Sequence, residues 1–338
     1  MQKQIALLYS PDPEKIEKVF IDNSISYRRL GNVFLLQWEE FLSVLSELKE
    51  ELLRDVRISF AKPEELKDPN KLLEVGFRAR TLDQLSEEEL FKNLSKILRT
   101  AQSYFHAIVC AKSMKIYGFE ALCRSQVPVF KLFNVSNRIA LLVDNFCRER
   151  AIYEFKRRFL RTDYKLFLNF HPKFLKNPLE NAGDLISLLH FMEVSPSRVV
   201  VEIDEYEGMD LNSLKMLRNL LEGEGVLVAL DDVGAGYAGL YQLTEIKPHI
   251  AKLDMELVRR IDQNPMKQSI AKALISAFKD VGIMVLAEGV EREEELKFFL
   301  EAGVDLFQGF LFARPSPHPN TLEIEKLAYN LLSTYARR

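Results

Sequence analysis

Short apolar segments alternate with longer amphipathic segments over the last two thirds of the chain, and this alternation restricts the fold more than any other feature. From about residue 102, apolar runs such as "KLFLNF", "RVVVEI" and "VLVAL" are separated by helix-like segments such as "SIAKALISAFKDVG". Apolar strands that alternate with helices are typical of a parallel sheet covered on both faces. Seven or eight such units in about 235 residues predict a (β/α)8 barrel, with an open doubly wound sheet as the alternative.

The segment before the barrel predicts a separate small α/β domain over residues 1–88. The runs "QIALLYS", "VFLLQW" and "DVRISF" are typical of short strands, and "EEFLSVLSELKEELLR" carries apolar residues at helical spacing. Ser86 and Glu89 fit a capping box, which predicts a linker helix over residues 89–102. The barrel then occupies residues 103–338. The first domain has no catalytic pattern, so we expect it to sense a signal, mediate dimerisation or stabilise the barrel.

Composition and charge make several classes of protein improbable. The 338 residues are 47% hydrophobic, which suits packed cores, and the formal net charge of −3 does not favour duplex nucleic acid as a partner. The three cysteines form no C-x-x-C pair, so neither a disulfide scaffold nor a zinc ribbon is expected. No apolar run has the length of a membrane span, and no signal peptide is evident. We therefore expect a cytoplasmic protein without a membrane partner.

Polar side chains recur at the carboxyl ends of the predicted barrel strands. They are Glu120, Asn169, Glu202, Asp231, Asp232, Lys252, Asp254, Glu288 and Gln308. A single acid in such a position is typical of a helix cap, but a whole series is not explained by capping. In a closed barrel these positions converge on one rim, whereas in an open sheet they spread along an edge. The series therefore predicts one shared site.

The chemistry of this set favours divalent cations. Crowded carboxylates repel one another when they are partly removed from water, so they either take up protons or bind cations. Oxygen ligands suit Mg²⁺ or Mn²⁺, and zinc is less expected because no histidine or cysteine joins the set. The adjacent Asp231 and Asp232 can each reach a metal ion, and two ions about 4 Å apart form a clamp for in-line attack at phosphorus.

The same region contains a pattern that is typical of dinucleotide-binding folds. Gly234, Gly236 and Gly239 form G-x-G-x-x-G after an apolar run, and Asp254 follows twenty residues after Gly234. Two carboxylates at the end of the strand would repel a pyrophosphate, and several strand–helix units precede this one. We therefore interpret the glycines as a mobile loop next to metal ligands.

Two further features have simpler interpretations. The segment "EREEELKFF" is interpreted as a solvated helix face. The five histidines show no paired ligand spacing, so His106 and the others are interpreted as packing or surface residues. His171 follows Asn169 closely and could touch the cleft.

The strand-end residues occur in a series of motifs that resembles the EAL domain, the family of cyclic di-GMP phosphodiesterases. The motifs are "YGFEALCR", "NFHP", "VEIDE", "ALDDVGAGYAGL", "AKLD", "LAEGVE" and "QGFLFARP", between about residues 103 and 318. The resemblance implies a (β/α)8 barrel with one antiparallel strand near its start. It also implies two Mg²⁺ or Mn²⁺ ions and hydrolysis of cyclic di-GMP to the linear dinucleotide pGpG.

The resemblance implies roles for individual residues. The implied metal ligands are Glu120, Asn169, Glu202, Asp231, Asp232 and Glu288. The implied catalytic groups are Glu288 as a candidate general base, Lys252 as the residue that holds the attacking water or offsets charge, and Asp232. The implied substrate-binding residues are Leu122, Arg124, Asp254, Gln308 and Pro315. Glu205 would anchor the loop at Gly234 and Gly236, and Glu291 would support Glu288.

Several positions depart from the family pattern without removing an implied ligand. Ser125 follows the arginine of the "EALCR" motif, Asp204 replaces a usual threonine, and Val233 replaces a usual phenylalanine. The first strand, "YFHAIV", lacks the usual glutamine–proline pair, and the stretch 126–140 is shorter than usual. We expect these departures to affect the rate more than the activity itself.

Three functions are compatible with this sequence. We expect an active metal-dependent phosphodiesterase because the acidic set and Lys252 are complete. One alternative is a catalytically inactive receptor that binds cyclic di-GMP and signals through residues 1–88. The other is a structural partner protein in which the acidic rim is incidental. Family members often pair through the barrel, so a homodimer is also expected.

Overall fold

The structure, a computed structural model, describes most of the chain. The described residues are 5–37, 40–41, 56–62, 64–68, 71, 74–75, 79–81, 98, 100–125, 129, 137–170, 178–203, 211–234 and 246–336. The chain divides into two compact units, Met1–Ala101 with Arg124–Val143 and Gln102–Cys123 with Asp144–Arg338. The predicted linker helix and the predicted helix at 39–54 lie mostly outside the described residues. Within the described part, no helix has the length and apolar character that crossing a membrane requires.

The first unit contains a five-stranded sheet and helix α1. Its elements are β1 (Ile5–Tyr9), α1 (Pro13–Asp22), β2 (Arg28–Leu30), β3 (Val33–Gln37), β4 (Arg57–Ala61) and β5 (Arg80–Thr81). The strands lie in the order β2-β3-β1-β4-β5, and neighbouring strands are antiparallel. Helix α1 follows Asp12, whose side chain accepts a hydrogen bond from the backbone of Lys15. Its Phe20 packs edge-on against Phe34, so the unit has the α/β character that the sequence predicts.

The second unit carries a closed barrel of eight strands. They are β6 (Gln102–Cys110), β7 (Ile116–Arg124), β8 (Lys165–Phe170), β9 (Val199–Ile203), β10 (Leu227–Val233), β11 (Ile250–Leu253), β12 (Met284–Ala287) and β13 (Leu306–Gln308). Strands β7 to β13 pair in parallel, whereas β13 closes the barrel against β6 in antiparallel orientation. The predicted barrel with one antiparallel strand near its start is therefore confirmed. The alternative prediction, an open doubly wound sheet, is wrong because β13 and β6 pair and close the barrel.

Helices alternate with the barrel strands. They are α2 (Asn137–Phe159), α3 (Pro178–Phe191), α4 (Leu211–Gly223), α5 (Met255–Val258), α6 (Pro265–Asp280), α7 (Glu293–Ala302) and α8 (Thr321–Ala336), with 3-10 turns at Pro196–Arg198 and Ile261–Gln263. A further 3-10 turn, Glu65–Lys67, belongs to the first unit. Helix α6 buries Ala271, Ile275 and Phe278, whose spacing places them on one face. It begins after Asn264, whose side chain accepts hydrogen bonds from the first turn. The helix predicted from "SIAKALISAFKDVG" is confirmed.

Successive residues of each barrel strand point to opposite faces, which produces two apolar layers. The layer between strands and helices includes Leu166, Val199 and Ala251. The layer inside the barrel consists of Ile108, Phe167, Val200, Ala229, Ile250, Leu286 and Leu306. Because both faces of a strand are buried, its sequence is a nearly continuous apolar run.

Gly309 allows the chain after β13 to pass close to the loop after β12. A methyl group at this position would lie 2.0 Å from the backbone oxygen of Val290. Because backbone atoms cannot easily move away, we expect Gly309→Ala to lower the free energy of unfolding by about 3 kcal/mol. The control is Gly183→Ala in helix α3, where the added carbon meets nothing within 4 Å. Urea denaturation measures both variants, and equal stabilities would contradict this prediction.

Candidate metal centre

The candidate site is formed by polar residues that follow the apolar layer inside the barrel. In six strands the polar residue comes two positions after a member of that layer, and therefore points to the same side. The pairs are Phe167 and Asn169, Val200 and Glu202, Ala229 and Asp231, Ile250 and Lys252, Leu286 and Glu288, and Leu306 and Gln308. The barrel interior is therefore apolar toward the amino ends of these strands and polar toward their carboxyl ends.

Lys252 lies at the centre of a buried cluster of charges. Its Nζ is 2.6 Å from Oε1 of Glu202 and 2.8 Å from Oδ2 of Asp231. The same Nζ is 2.6 Å from Oε1 of Glu288. The side chains of Lys252 and Glu202 are 1% and 0% exposed. One ammonium thus faces three carboxyl groups away from water, and full ionisation would leave negative charge uncompensated.

Burial and neighbouring charge shift the pKa values in this cluster. Burial disfavours the ammonium, but the surrounding carboxylates outweigh burial and raise the pKa of Lys252 well above its ordinary value. Burial raises the pKa values of Glu202 and Glu288 well above the ordinary range, although Lys252 opposes this. Burial also raises the pKa of Asp231. The lysine is therefore charged at neutral pH, and a further cation would favour ionisation of all three carboxyl groups.

Three of these carboxyl groups are close enough to share a metal ion. One oxygen from each of Glu202, Asp231 and Glu288 lies within 4.8 Å of the others. In the described part of the chain, the buried Oε2 of Glu202 has no hydrogen-bond partner. An unsatisfied buried oxygen is unfavourable, and coordination to a cation would satisfy it. This donor set contains only oxygen, so it fits the hard divalent cations.

Glu120 is held by two side-chain amides. Nε2 of Gln308 donates a hydrogen bond to Oε2 of Glu120 at 2.8 Å, and Nδ2 of Asn169 donates to Oε1 at 3.4 Å. Burial would raise the pKa of Glu120, but Lys252, His106 and the two amides together lower it. The Glu120 carboxylate is therefore held in one orientation, and its two oxygens are further candidate metal ligands in the site.

The end of strand β10 is distorted where the two aspartates lie. The register against β11 shifts between Leu230 and Val233, and Asp232 has a φ of 54°. This left-handed conformation is uncommon outside glycine and is often found at functional sites. The backbone N–H of Asp232 donates to Oδ1 of Asp231 at 2.9 Å. Asp231 is buried and Asp232 is exposed, so the two acids lie in different environments.

The other predicted substrate-binding residues lie in several environments. Asp254 is buried, and its side chain caps helix α5 by accepting a hydrogen bond from the backbone of Glu256 at 2.8 Å. Leu122 and Pro315 are half-buried. Arg124 is exposed and is the last residue of β7. Asp254 thus has a structural role, and substrate contact by these residues stays a prediction.

The predicted loop after β10 is described only at its start. Gly234 has a φ of 105°, a conformation that favours glycine. Glu205, Gly236, Asp204 and His171 lie outside the described residues.

The loop after β12 is supported by Glu295, which the sequence analysis missed. The Glu295 carboxylate accepts hydrogen bonds from the backbone N–H groups of Arg260, Glu291 and Arg292 at 2.8, 3.0 and 3.1 Å. Glu295 is 1% exposed, so the interpretation of "EREEELKFF" as a solvated face is wrong at this residue. The sequence feature that could have indicated this role is the position of Glu295 in the first turn of α7, where backbone N–H groups have no partner within the helix. Glu291 itself is exposed.

His106 is a second residue that the sequence analysis did not place near the site. It is buried on the antiparallel strand β6, two residues before Ile108 of the inner layer. Its Nε2 lies 3.1 Å from the backbone oxygen of Ala313, and its charge contributes to the lowered pKa of Glu120. Because β6 runs opposite to the other strands, the signal was a polar residue before the apolar run rather than after it.

Comparison with protein families gives a match to the EAL domain over residues 88–315. The matched range contains every predicted site residue.

Three curated relatives illustrate the range of proteins that share this region. They are the signaling protein YkoW of Bacillus subtilis (28% identity over 61% of this chain and 27% of that protein), the blue light- and temperature-regulated antirepressor BluF of Escherichia coli (27%, 62% and 53%) and the cyclic di-GMP phosphodiesterase RocR of Pseudomonas aeruginosa (28%, 66% and 59%). The chain therefore spans less than two thirds of the length of each of these relatives.

Two solved structures have the same barrel. One is a standalone EAL protein from Vibrio cholerae in its c-di-GMP-bound form, with 31% identity and a TM-score of 0.60 over 64% of this chain and 92% of that chain. The other is Klebsiella pneumoniae BlrP1 in a complex with calcium and cy-diGMP, with 25% identity and a TM-score of 0.60 over 94% and 97% of the two chains.

Proposed function

Because this chain belongs to the EAL domain family, we propose that it is a metal-dependent phosphodiesterase that hydrolyses cyclic di-GMP to linear pGpG. The observation that carries the proposal is the carboxyl cluster of Glu202, Asp231 and Glu288, whose oxygens lie within 4.8 Å of one another. The name of the Pseudomonas relative and the ligand of the Vibrio structure support the choice of substrate. The calcium in the Klebsiella complex supports a divalent cation.

We propose that two Mg²⁺ or Mn²⁺ ions are held by the oxygen donors of this site. The proposed ligands are Glu120, Asn169, Glu202 and Asp231 for the first ion, and Asp231, Asp232 and Glu288 for the second. When bound, such ions stabilise charge on the phosphate and lower the pKa of water. The side-chain amide of Gln308 keeps Glu120 in place for this purpose.

The proposed catalytic groups of the chain itself are Lys252, Glu288 and Asp232. Lys252 keeps its proton, so its Nζ can donate a hydrogen bond to the attacking water or to a phosphate oxygen. Glu288 is the candidate general base, and its Oε1 lies 2.6 Å from the Lys252 ammonium. The exposed Asp232 offers a carboxylate at the end of β10.

The substrate is proposed to lie at the carboxyl end of the barrel. The proposed binding residues are Leu122, Arg124, Asp254, Gln308 and Pro315. The guanidinium of Arg124 suits a phosphate, and the side chain of Leu122 suits the apolar face of a base. The residues proposed to support the neighbouring loops are Glu205, Gly234, Gly236 and Glu291.

A receptor without turnover is the second candidate. The relative BluF is named an antirepressor, so the family model alone does not establish catalysis. A receptor would bind cyclic di-GMP in the presence of a chelator and would release no linear product. Residues 1–88 would then transmit the signal.

A product assay separates the two candidates. We expect pGpG to accumulate from cyclic di-GMP with Mg²⁺ or Mn²⁺ and to stop when a chelator is added, because the carboxyl cluster needs the cation to act. Chromatography of the nucleotides measures the product, and circular dichroism confirms that the protein is folded. Absence of pGpG between about pH 7 and 9 with either metal, together with tight binding of the nucleotide, would favour the receptor.

A further inference from the structure

Two cysteine side chains meet between strand β7 and helix α2. Cys123 is the last residue but one of β7, and Cys147 lies near the middle of α2. Their thiol groups are joined by a side-chain hydrogen bond, and both residues are partly exposed. Sulfur atoms in such contact need to move by roughly 1–2 Å to reach the disulfide bond length of about 2 Å.

Cys110 is the last residue of strand β6, next to the start of β7, and is a natural control. Its backbone N–H bonds to the oxygen of Lys115, just before β7 begins at Ile116. The stretch of β7 from Ile116 to Cys123 spans about 23 Å at roughly 3.3 Å per residue. A disulfide requires Cα atoms within about 7 Å, so Cys110 cannot reach Cys123 in the folded barrel.

We propose that Cys123 and Cys147 form a reversible disulfide when the protein reacts with a hydroperoxide. In the first step, the Cys123 sulfur attacks one oxygen of hydrogen peroxide, the O–O bond breaks, the proton of the Cys123 thiol passes to the leaving hydroxide, and a sulfenic acid and water form. In the second step, the Cys147 sulfur attacks the sulfenic sulfur, the S–O bond breaks, and a second water leaves. Two thiols and one hydrogen peroxide therefore give one disulfide and two waters.

The hydrogen bond between the thiols assigns their order of reaction. This bond is the main reason that the pKa of Cys147 is raised, and burial adds to the effect. The raised pKa of Cys147 makes this thiol the less reactive of the two toward a peroxide, so Cys123 is assigned the first step. The guanidinium of Arg148 opposes the rise in the pKa of Cys147 and assists its reaction in the second step.

The disulfide would connect the end of β7 to helix α2. Leu122 and Arg124, which are proposed to hold the substrate, flank Cys123 in the sequence. Formation of the disulfide is therefore expected to change the affinity for cyclic di-GMP. This consequence rests on the function proposed above, whereas formation of the disulfide does not.

The test is mild oxidation of the full chain. The folded protein is treated with a small excess of hydrogen peroxide, the remaining thiols are alkylated after denaturation, and the peptides are analysed by mass spectrometry. We expect a linked Cys123–Cys147 peptide, an alkylated Cys110 and complete reversal by dithiothreitol. Cys110→Ser should form the link like the wild type, whereas Cys123→Ser and Cys147→Ser should not.

Three outcomes would contradict the formation of this disulfide: three free thiols after oxidation, a link through Cys110, or sulfinic acid at Cys123 without a link.

The effect of the disulfide on substrate binding has a separate test. We expect the KM for cyclic di-GMP to change by about threefold or more on oxidation of the wild type but not of Cys123→Ser. A disulfide with an unchanged KM would refute this consequence. Lack of turnover in both redox states would count against the proposed function and would leave the mass result intact.

Discussion

Replacing Asp231 with asparagine is expected to abolish binding of divalent cations and to reduce turnover of cyclic di-GMP by roughly a thousandfold. Asp231 is proposed to contact both ions, and its carboxyl oxygen lies within 4.8 Å of oxygens from Glu202 and Glu288. Asparagine has nearly the same volume but lacks the charge that attracts the cation. Metal ions contribute several kcal/mol to catalysis, and about 4 kcal/mol corresponds to roughly a thousandfold in rate.

Calorimetry with Mn²⁺ and the product assay together test the Asp231→Asn variant. The exposed Asp280 at the end of α6 provides the control variant Asp280→Asn, which removes the same charge away from the site. Lys252 keeps its contacts with Glu202 and Glu288 in the Asp231 variant, so we expect the fold to persist. A variant with wild-type turnover and metal affinity would exclude Asp231 as a shared ligand.

Replacing Lys252 with methionine is expected to lower the free energy of unfolding by about 3–5 kcal/mol when no divalent cation is present. The methionine preserves the length of the side chain but removes the ammonium that neutralises the carboxyl groups of Glu202, Asp231 and Glu288. Buried carboxyl groups without a cation must either repel one another or take up protons. Added Mg²⁺ or Mn²⁺ should restore part of the lost stability, because a ligand that binds the folded state stabilises it.

The loss of stability in the Lys252→Met variant should depend on pH. Burial already raises the pKa values of Glu202 and Glu288, and removing the ammonium raises them further. A carboxyl group whose pKa is higher in the folded state binds more protons there, so its stabilising effect is present at low pH and is lost as the pH rises through the folded pKa. The difference in stability from the wild type should therefore be smaller at pH 5 than at pH 8.

Urea denaturation at these two pH values, in the presence of a chelator, measures the effect. Lys326→Met is the matched control, because Lys326 is exposed on helix α8. If Lys252→Met were as stable as this control at pH 8, the ammonium would have no essential role in balancing the buried charge.

The barrel was predictable because its signal is local and repeated. In strands such as β9, the residues Val199, Val201 and Ile203 face the helices, while Val200 and Glu202 face the interior. The period of two residues explains why the polar residue follows the apolar one inside the barrel. The sequence therefore predicts which residues of each strand face the interior of the barrel, although it does not give the distances between their side chains.

Two residues that the sequence did not place near the site, His106 and Glu295, do not follow the pattern of a polar residue two positions after an inner apolar one. His106 lies on the strand with the opposite direction, so its position relative to the apolar run is reversed. Glu295 lies in an acidic helix start that looks solvated in sequence, but it is buried by contacts with the backbone of Arg260, which is 35 residues away. Such burial depends on how distant segments pack and not on the residues next to it.

The sequence by itself determined the alternation of strands and helices, the side of each strand that carries a polar residue and the oxygen-rich chemistry of the site, because these depend on spacing and residue type. Only the tertiary structure decided that the sheet closes and that Gln308 reaches Glu120, a residue 188 positions earlier in the chain. It also placed Lys252 between three carboxyl groups and Cys147 beside Cys123. These contacts join strands and helices that meet only after the barrel closes, and the distances between them follow from packing rather than from any local pattern.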